Sequence, residues 1–278
     1  MLLEVIDYDQ KALALLTSKK IKVVIHVFRK VINVLIDGEL ISLTNSDVPR
    51  AGRFIRLKYD KPLSSRFSNN SKITCIDNKI YIDQCLLDFS NSQVYQGQFN
   101  KLVYNHPSLN DLTSCLLEDK DMCGCINYVR LKNGVDISSK NIIDQYLAKN
   151  IDDFINSIIN KENKPIKLLG LGYGLTPSGD DFLYGFLLTM TLFNRKREML
   201  IVKRYIISKM DTTSIVSKQM FTNLFDGKFN ELYYKTIMMI NDCDNLKMIY
   251  KKMKKVGHSS GIDFIVGVWA AFMVMERE

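Results

Sequence analysis

The chain has 278 residues, a hydrophobic fraction of 46% and a formal net charge of +8. That length and apolar content argue against a disordered protein and allow one large domain or two smaller ones around a sizeable core. The longest apolar runs, Phe182 to Phe193 and Phe264 to Met275, fall short of the roughly 18 to 20 residues that span a bilayer, so they are expected as buried core helices with no membrane partner.

Residues Glu4 to Leu16 place apolar side chains at helical spacing, which predicts a helix there. The first nine residues carry Glu4, Asp7 and Asp9 and lack the basic start and apolar middle of a secretory signal, so a cytoplasmic location is expected. Ile21 to Phe28 and Val31 to Ile36 are rich in Val and Ile and read as strands. Asp37-Gly38 is a hairpin turn signal, after which Leu40 to Thr44 returns antiparallel, and a second hairpin is expected at Ile73 to Ile82 around Asp77-Asn78. The fold class is therefore α+β. Its first part, residues 1–105, is a β-rich domain built as a small barrel or sandwich, because closure or stacking covers strand edges.

From His106-Pro107 onward the pattern becomes helical, giving a second domain over residues 106–278. Asn141 to Ile159 alternates at helical period, and the polar stretch Lys161 to Lys164 with Pro165 is a break. Asp211 to Ser214 offers N-caps for a helix through Phe225 with Gly227 as its C-terminal cap, and Leu246 to Lys255 forms another helix. Six cysteines without repeated spacing argue for reduced thiols. Cys123-Gly124-Cys125 has the residue types of a soft-metal or redox pair, but no second Cys or His cluster lies nearby in sequence, and incidental thiols are the expectation. The basic clusters Arg195-Lys196-Arg197, Lys203-Arg204 and Lys251 to Lys255 lack an interleaved aromatic platform. They read as solvated helix faces, and no nucleic acid is expected as a partner.

The pattern Ser-Gly-x-Asp-Phe-aliphatic-x-Gly occurs twice, at Ser178 to Gly185 and at Ser260 to Gly267. Each copy follows small residues and precedes an apolar run, as a loop turning into a buried helix does. Helix N-termini carry unpaired N–H groups and a positive dipole end, so two brought together would hold a small anion. Gly172, Gly174, Thr176, Ser178, Gly179 and Asp180 from the first copy, with Gly257, Ser259, Ser260 and Gly261 from the second, are the candidate binding residues. Asp181, Asp263 and His258 are the candidates for moving a proton. Arg53 is a weaker candidate for a cationic contact. Pro177 is expected at the first helical position after a Thr176 cap. Gly185 and Gly267 lie one turn into each helix, where glycine costs about 1 kcal/mol relative to alanine, and close approach of the two helices would compensate. The plainer alternative is a pair of capping boxes, since both copies fit Ser-x-x-Asp.

The run Gly170 to Asp181, the segment Thr212-Thr213 to Ser217, and Gly257-His258-Ser259-Ser260-Gly261-Ile262-Asp263 resemble the bacterial family that includes the AllH-like subunit of oxamate carbamoyltransferase. Tyr173 stands where that family usually has proline, and Ile262 where it usually has threonine, so one hydroxyl contact is missing. The resemblance implies a component of a carbamoyl-transferring assembly in purine or allantoin nitrogen catabolism, with an FdrA-like subunit and a third subunit as partners. The implied reaction is oxaluramate plus phosphate giving oxamate and carbamoyl phosphate. Two other readings stand beside it: a non-catalytic structural subunit whose motifs are caps, and a free-standing hydrolase with Asp180, Asp181 and Asp263 as oxygen ligands for Mg²⁺. Only the last requires a cofactor.

Overall fold

The computed structural model describes residues 1–97, 99–118, 123–138, 140–162 and 166–277; the expected break at Lys164-Pro165 lies outside them. The chain divides into two compact units, Met1–Gln98 with Thr222–Leu232, and Phe99–Phe221 with Tyr233–Glu278.

The first unit is built on strands β1 (Leu2–Tyr8), β2 (Lys22–Val27), β3 (Val31–Ile36), β4 (Glu39–Asn45), β5 (Phe54–Leu57), β6 (Ile73–Ile76), β7 (Lys79–Ile82), β8 (Cys85–Asp88) and β9 (Gln93–Val94). The order β2-β3-β4-β5-β1-β8-β7-β6, with β9 added to β1, brings the end strands β2 and β6 together, and the sheet nearly closes on itself. This is the β-rich half of the expected α+β fold, and of the two expected forms it is barrel-like. The turns explain the hairpins. Asp37 and Gly38 have φ of 52° and 81°, and Asp77 and Asn78 have φ of 49° and 61°, the positive pair that lets a two-residue loop follow the strand twist. Ile32, Val34, Ile36, Ile41, Leu43, Ile55 and Leu57 fill the interior.

The expected helix from Glu4 to Leu16 is corrected. Residues Leu2–Tyr8 form a strand that buries Leu3, Val5 and Asp7 on alternate positions, and helix α1 covers only Gln10–Thr17. Asp9 decides the boundary: its carboxylate accepts from the N–H groups of Lys11 and Ala12 at 3.0 and 3.2 Å and so caps the shorter helix.

The second unit is helical, with α2 (Leu109–Leu117), α3 (Ile126–Lys132), α4 (Ile142–Ile159), α5 (Ser178–Leu192), α6 (Lys196–Lys209), α9 (Leu246–Met253) and α10 (Ser260–Glu276). The helices α7 (Ile215–Phe225) and α8 (Glu231–Asn241) each have one end in the segment Thr222–Leu232. Asn141 caps α4 through Asp144 N–H, and Gly227 follows α7 at φ 73°. In α9 Ile249, Tyr250 and Met253 are buried while Lys251 and Lys252 face solvent, as an amphipathic surface helix requires. By contrast, α5 and α10 are buried on every side over most of their length, which marks them as the core. Among the described residues no helix is long and apolar enough to cross a membrane.

Candidate functional site

The two Ser-Gly-x-Asp copies start the central helices and meet where these cross. A Cβ added to Gly185 would stand 2.3 Å from the carbonyl oxygen of Phe264, and one added to Gly267 would stand 2.1 Å from that of Phe182. Because Phe182 and Phe264 are the equivalent residues of the two copies, the contact is reciprocal. It holds the two N-termini at one place, with the Thr176 and Ser260 hydroxyls 3.0 Å apart.

The capping-box reading is corrected by the helix starts. Pro177 is extended, with φ −54° and ψ 145°, and occupies the N-cap of α5 instead of the first helical position; Ser178 already lies inside the helix. Likewise Ser259 is the N-cap of α10 and Ser260 lies inside, and neither N-cap residue makes a side-chain capping bond. Each aspartate instead has one hydroxyl from its own motif and one from the other: Thr176 and Ser260 lie beside Asp181, and Ser259 and Ser178 lie beside Asp263.

Both aspartates are almost wholly buried, Asp181 at 2% exposure and Asp263 at 0%. Burial, then the neighbouring Asp263 charge, raises Asp181 well above the usual carboxylate range, and the two hydroxyls offset only part of this. Asp263 is pushed up by burial to about 6, against the Cys125 N–H and the hydroxyls of Ser178 and Ser259 that favour its ionised form. The Oδ2 atom of each is buried without a hydrogen-bond partner among the described residues. Burial and the neighbouring charge thus shift Asp181 toward its protonated form, while Asp263 is pushed up to about 6.

Asp180 is separated from this pair. It accepts from the Gly170 N–H at 2.6 Å and from the Thr213 hydroxyl, and so ties the glycine loop to the segment before α7. Among the described residues no three His, Cys, Asp or Glu side chains converge as a metal-ion group, and Asp180, Asp181 and Asp263 do not form the single ligand set that a Mg²⁺ site would need.

A third element completes the site, and sequence reasoning missed it. The turn Cys123-Gly124-Cys125 lies against the aspartates: Gly124 N–H donates to Asp144 Oδ1 at 3.0 Å and Cys125 N–H to Asp263 Oδ1 at 2.7 Å. Gly124 has φ 83°, and a Cβ there would meet Asp263 Oδ1 at 2.4 Å, so any other residue would be strained and would displace that carboxylate. Cys125 is fully buried and its thiol reaches the Ser178 carbonyl at 3.2 Å. The only local signal for this turn was the glycine between the cysteines; Asp144 gave none, since in sequence it looks like an ordinary first-turn acid of α4.

Together these parts line a cavity of about 290 Å³ whose wall includes Cys123, Gly124, Asp144, Gly172, Tyr173, Gly174, Ser178, His258 and Ser259. Of the residues expected at the site, Gly172, Gly174, Ser178, His258 and Ser259 face this cavity. Thr176 and Ser260 pair with one another, and Gly257, at φ 62°, turns the chain into Ser260. Gly179 and Gly261 are spacers, since their N–H groups are committed to the carbonyls of Leu171 and Val256 at 2.8 and 3.1 Å. Arg53, in the first unit, is buried and engaged with Glu39 at 2.9 Å, Asn223 at 3.0 Å and Asp226 at 2.8 Å, so its charge is already paired there.

This is a small, partly open candidate site at paired helix starts, with polar groups from both motifs set in a largely apolar wall. Residues 168–272 match the family described as oxamate carbamoyltransferase subunit AllH, and residues 4–94 match the AllH family N-terminal domain. The two matches cover most of the chain, and the chain belongs to the AllH family. No curated protein and no solved structure gave a match.

Proposed function

We propose that this chain is the subunit of an oxamate carbamoyltransferase that holds the carbamoyl-bearing anion during transfer. The observation that carries the reading is the convergence of both Ser-Gly-x-Asp starts and the Cys123-Gly124 turn on one cavity of about 290 Å³, which has room for carbamoyl phosphate or oxamate. The positive ends of α5 and α10 favour an anion, and Ser178 and Ser259 stand at the cavity wall. The upward shift of Asp181 lessens the buried like charge that such an anion would meet.

Carbamoyl transfer between phosphate and the oxamate nitrogen moves one proton on and off nitrogen and oxygen atoms. His258 at the cavity wall is placed for that work, with buried Asp263 behind Ser178 and Ser259 as the second titratable group. The reaction direction, oxaluramate plus phosphate to oxamate and carbamoyl phosphate, its place in purine or allantoin nitrogen breakdown, and the FdrA-like and third subunits follow from the family resemblance. Calorimetric titration of the purified chain with carbamoyl phosphate, oxamate and phosphate tests the reading. Binding that disappears in Asp263→Asn or Ser178→Ala supports it; wild-type binding by both variants contradicts it.

A further inference from the structure

The Cys123 thiol stands 3.8 Å from His258 Nδ1, and both side chains face the cavity. Its mount is unusually rigid, because the two amides that follow it are held by two buried carboxylates, Asp144 and Asp263, and Gly124 leaves no room for a side chain. One of those carboxylates, Asp263, still has a buried oxygen with no partner. Backbone anchoring of this kind restricts where the thiol can stand, as attack on a bound carbon requires. Cys125, two residues on, is buried and turned to the Ser178 carbonyl, so the two thiols have different fates.

We infer that Cys123 is a nucleophile that carries the carbamoyl group as an S-carbamoyl thioester-like adduct, with His258 as its base; the inference rests on the carbamoyl-transfer reading above. His258 takes the thiol proton, and the sulfur attacks the carbamoyl carbon of carbamoyl phosphate. The bond from that carbon to the phosphoryl oxygen breaks, its electron pair leaves on phosphate, and His258 passes the proton to the departing phosphate. In the second step the oxamate nitrogen attacks the same carbon and loses a proton to His258. The carbon–sulfur bond then breaks and His258 returns the proton to the thiolate, so no oxidant, reductant or further reactant is consumed. A base is needed beside this sulfur, since burial, Asp144 and Asp263 together hold the thiol above its ordinary range.

The test uses the full chain, purified with whatever subunits accompany it, incubated with carbamoyl phosphate, quenched in acid and mapped by peptide mass spectrometry. The expected result is one carbamoyl group on Cys123, absent in Cys123→Ser and formed about a hundredfold more slowly in His258→Ala. Iodoacetamide labelling of Cys123 should slow in the same His258 variant, with buried Cys125 unlabelled. Calorimetry on the same sample separates the failures. Carbamoyl phosphate that binds without forming an adduct overturns the nucleophile and leaves the transfer reading intact, whereas absence of binding removes both. Equal carbamoylation of exposed Cys243 also overturns it, since that pattern is solution chemistry of the reagent.

Discussion

Gly185 and Gly267 sit on each other's helices: each would drive an added Cβ to within 2.3 Å or less of the other helix's carbonyl oxygen, at Phe264 and Phe182 respectively. The missing side chains let α5 and α10 cross backbone to backbone, and that crossing sets the separation of the two helix starts that form the site.

Alanine at either position should therefore destabilise the helical unit. The gain of about 1 kcal/mol in helix propensity is opposed by overpacking against immobile backbone, typically 1 to 3 kcal/mol and more where nothing yields. Thermal unfolding of Gly185→Ala and Gly267→Ala should show lowered midpoints. The double variant should lose less than the two losses combined, because one displacement of the helices relieves both clashes. Additive losses would mean the two contacts are independent.

The raised affinity of Asp263 for protons gives a stability signature with a definite sign. Its folded-state value of about 6 lies above the ordinary 3.8, so the folded state binds the proton more tightly than the unfolded chain. The stabilisation is fully present below about pH 4 and is lost as pH rises through about 6, on the order of 3 kcal/mol for this group. Asp181, raised in the same direction, contributes with the same sign. Chemical denaturation across pH 4 to 8 should show wild-type protein losing stability relative to Asp263→Asn as pH rises. A constant difference between the two would refute the assignment.

Asp180 belongs to the scaffold. Its removal leaves the Gly170 N–H and the Thr213 hydroxyl without their acceptor, a penalty of about 1 to 3 kcal/mol for a buried donor. Hydrogen exchange on Asp180→Ala should show faster exchange around residues 168 to 172 and little change in the first unit. Unchanged protection there would mean that the glycine loop is held by other contacts.

Much of this architecture was legible in the sequence, and the exceptions have physical causes. Asp37-Gly38 and Asp77-Asn78 announced their hairpins because a two-residue turn demands those residue types locally. The glycines at 185 and 267 announced the helix crossing because nothing else compensates for them within a helix. The strand Leu2–Tyr8 was hidden, since Leu3 and Val5 fit an apolar spacing that continues into α1 until Asp9 interrupts it. The start of α5 was misplaced by one residue, with Pro177 expected inside the helix, because a local pattern does not say where a helix begins; extended Pro177 sets that. The Cys123-Gly124-Cys125 turn and Asp144 reach the site only through long-range packing, and local pattern carries no trace of it.

The most direct measurement is a crystal structure of the chain soaked with carbamoyl phosphate or oxamate. The account predicts ordered ligand in the cavity between the starts of α5 and α10, within hydrogen-bonding distance of Ser178 and Ser259 and beside Cys123 and His258. Ligand ordered only elsewhere, with this cavity holding water at saturating concentration, would contradict it.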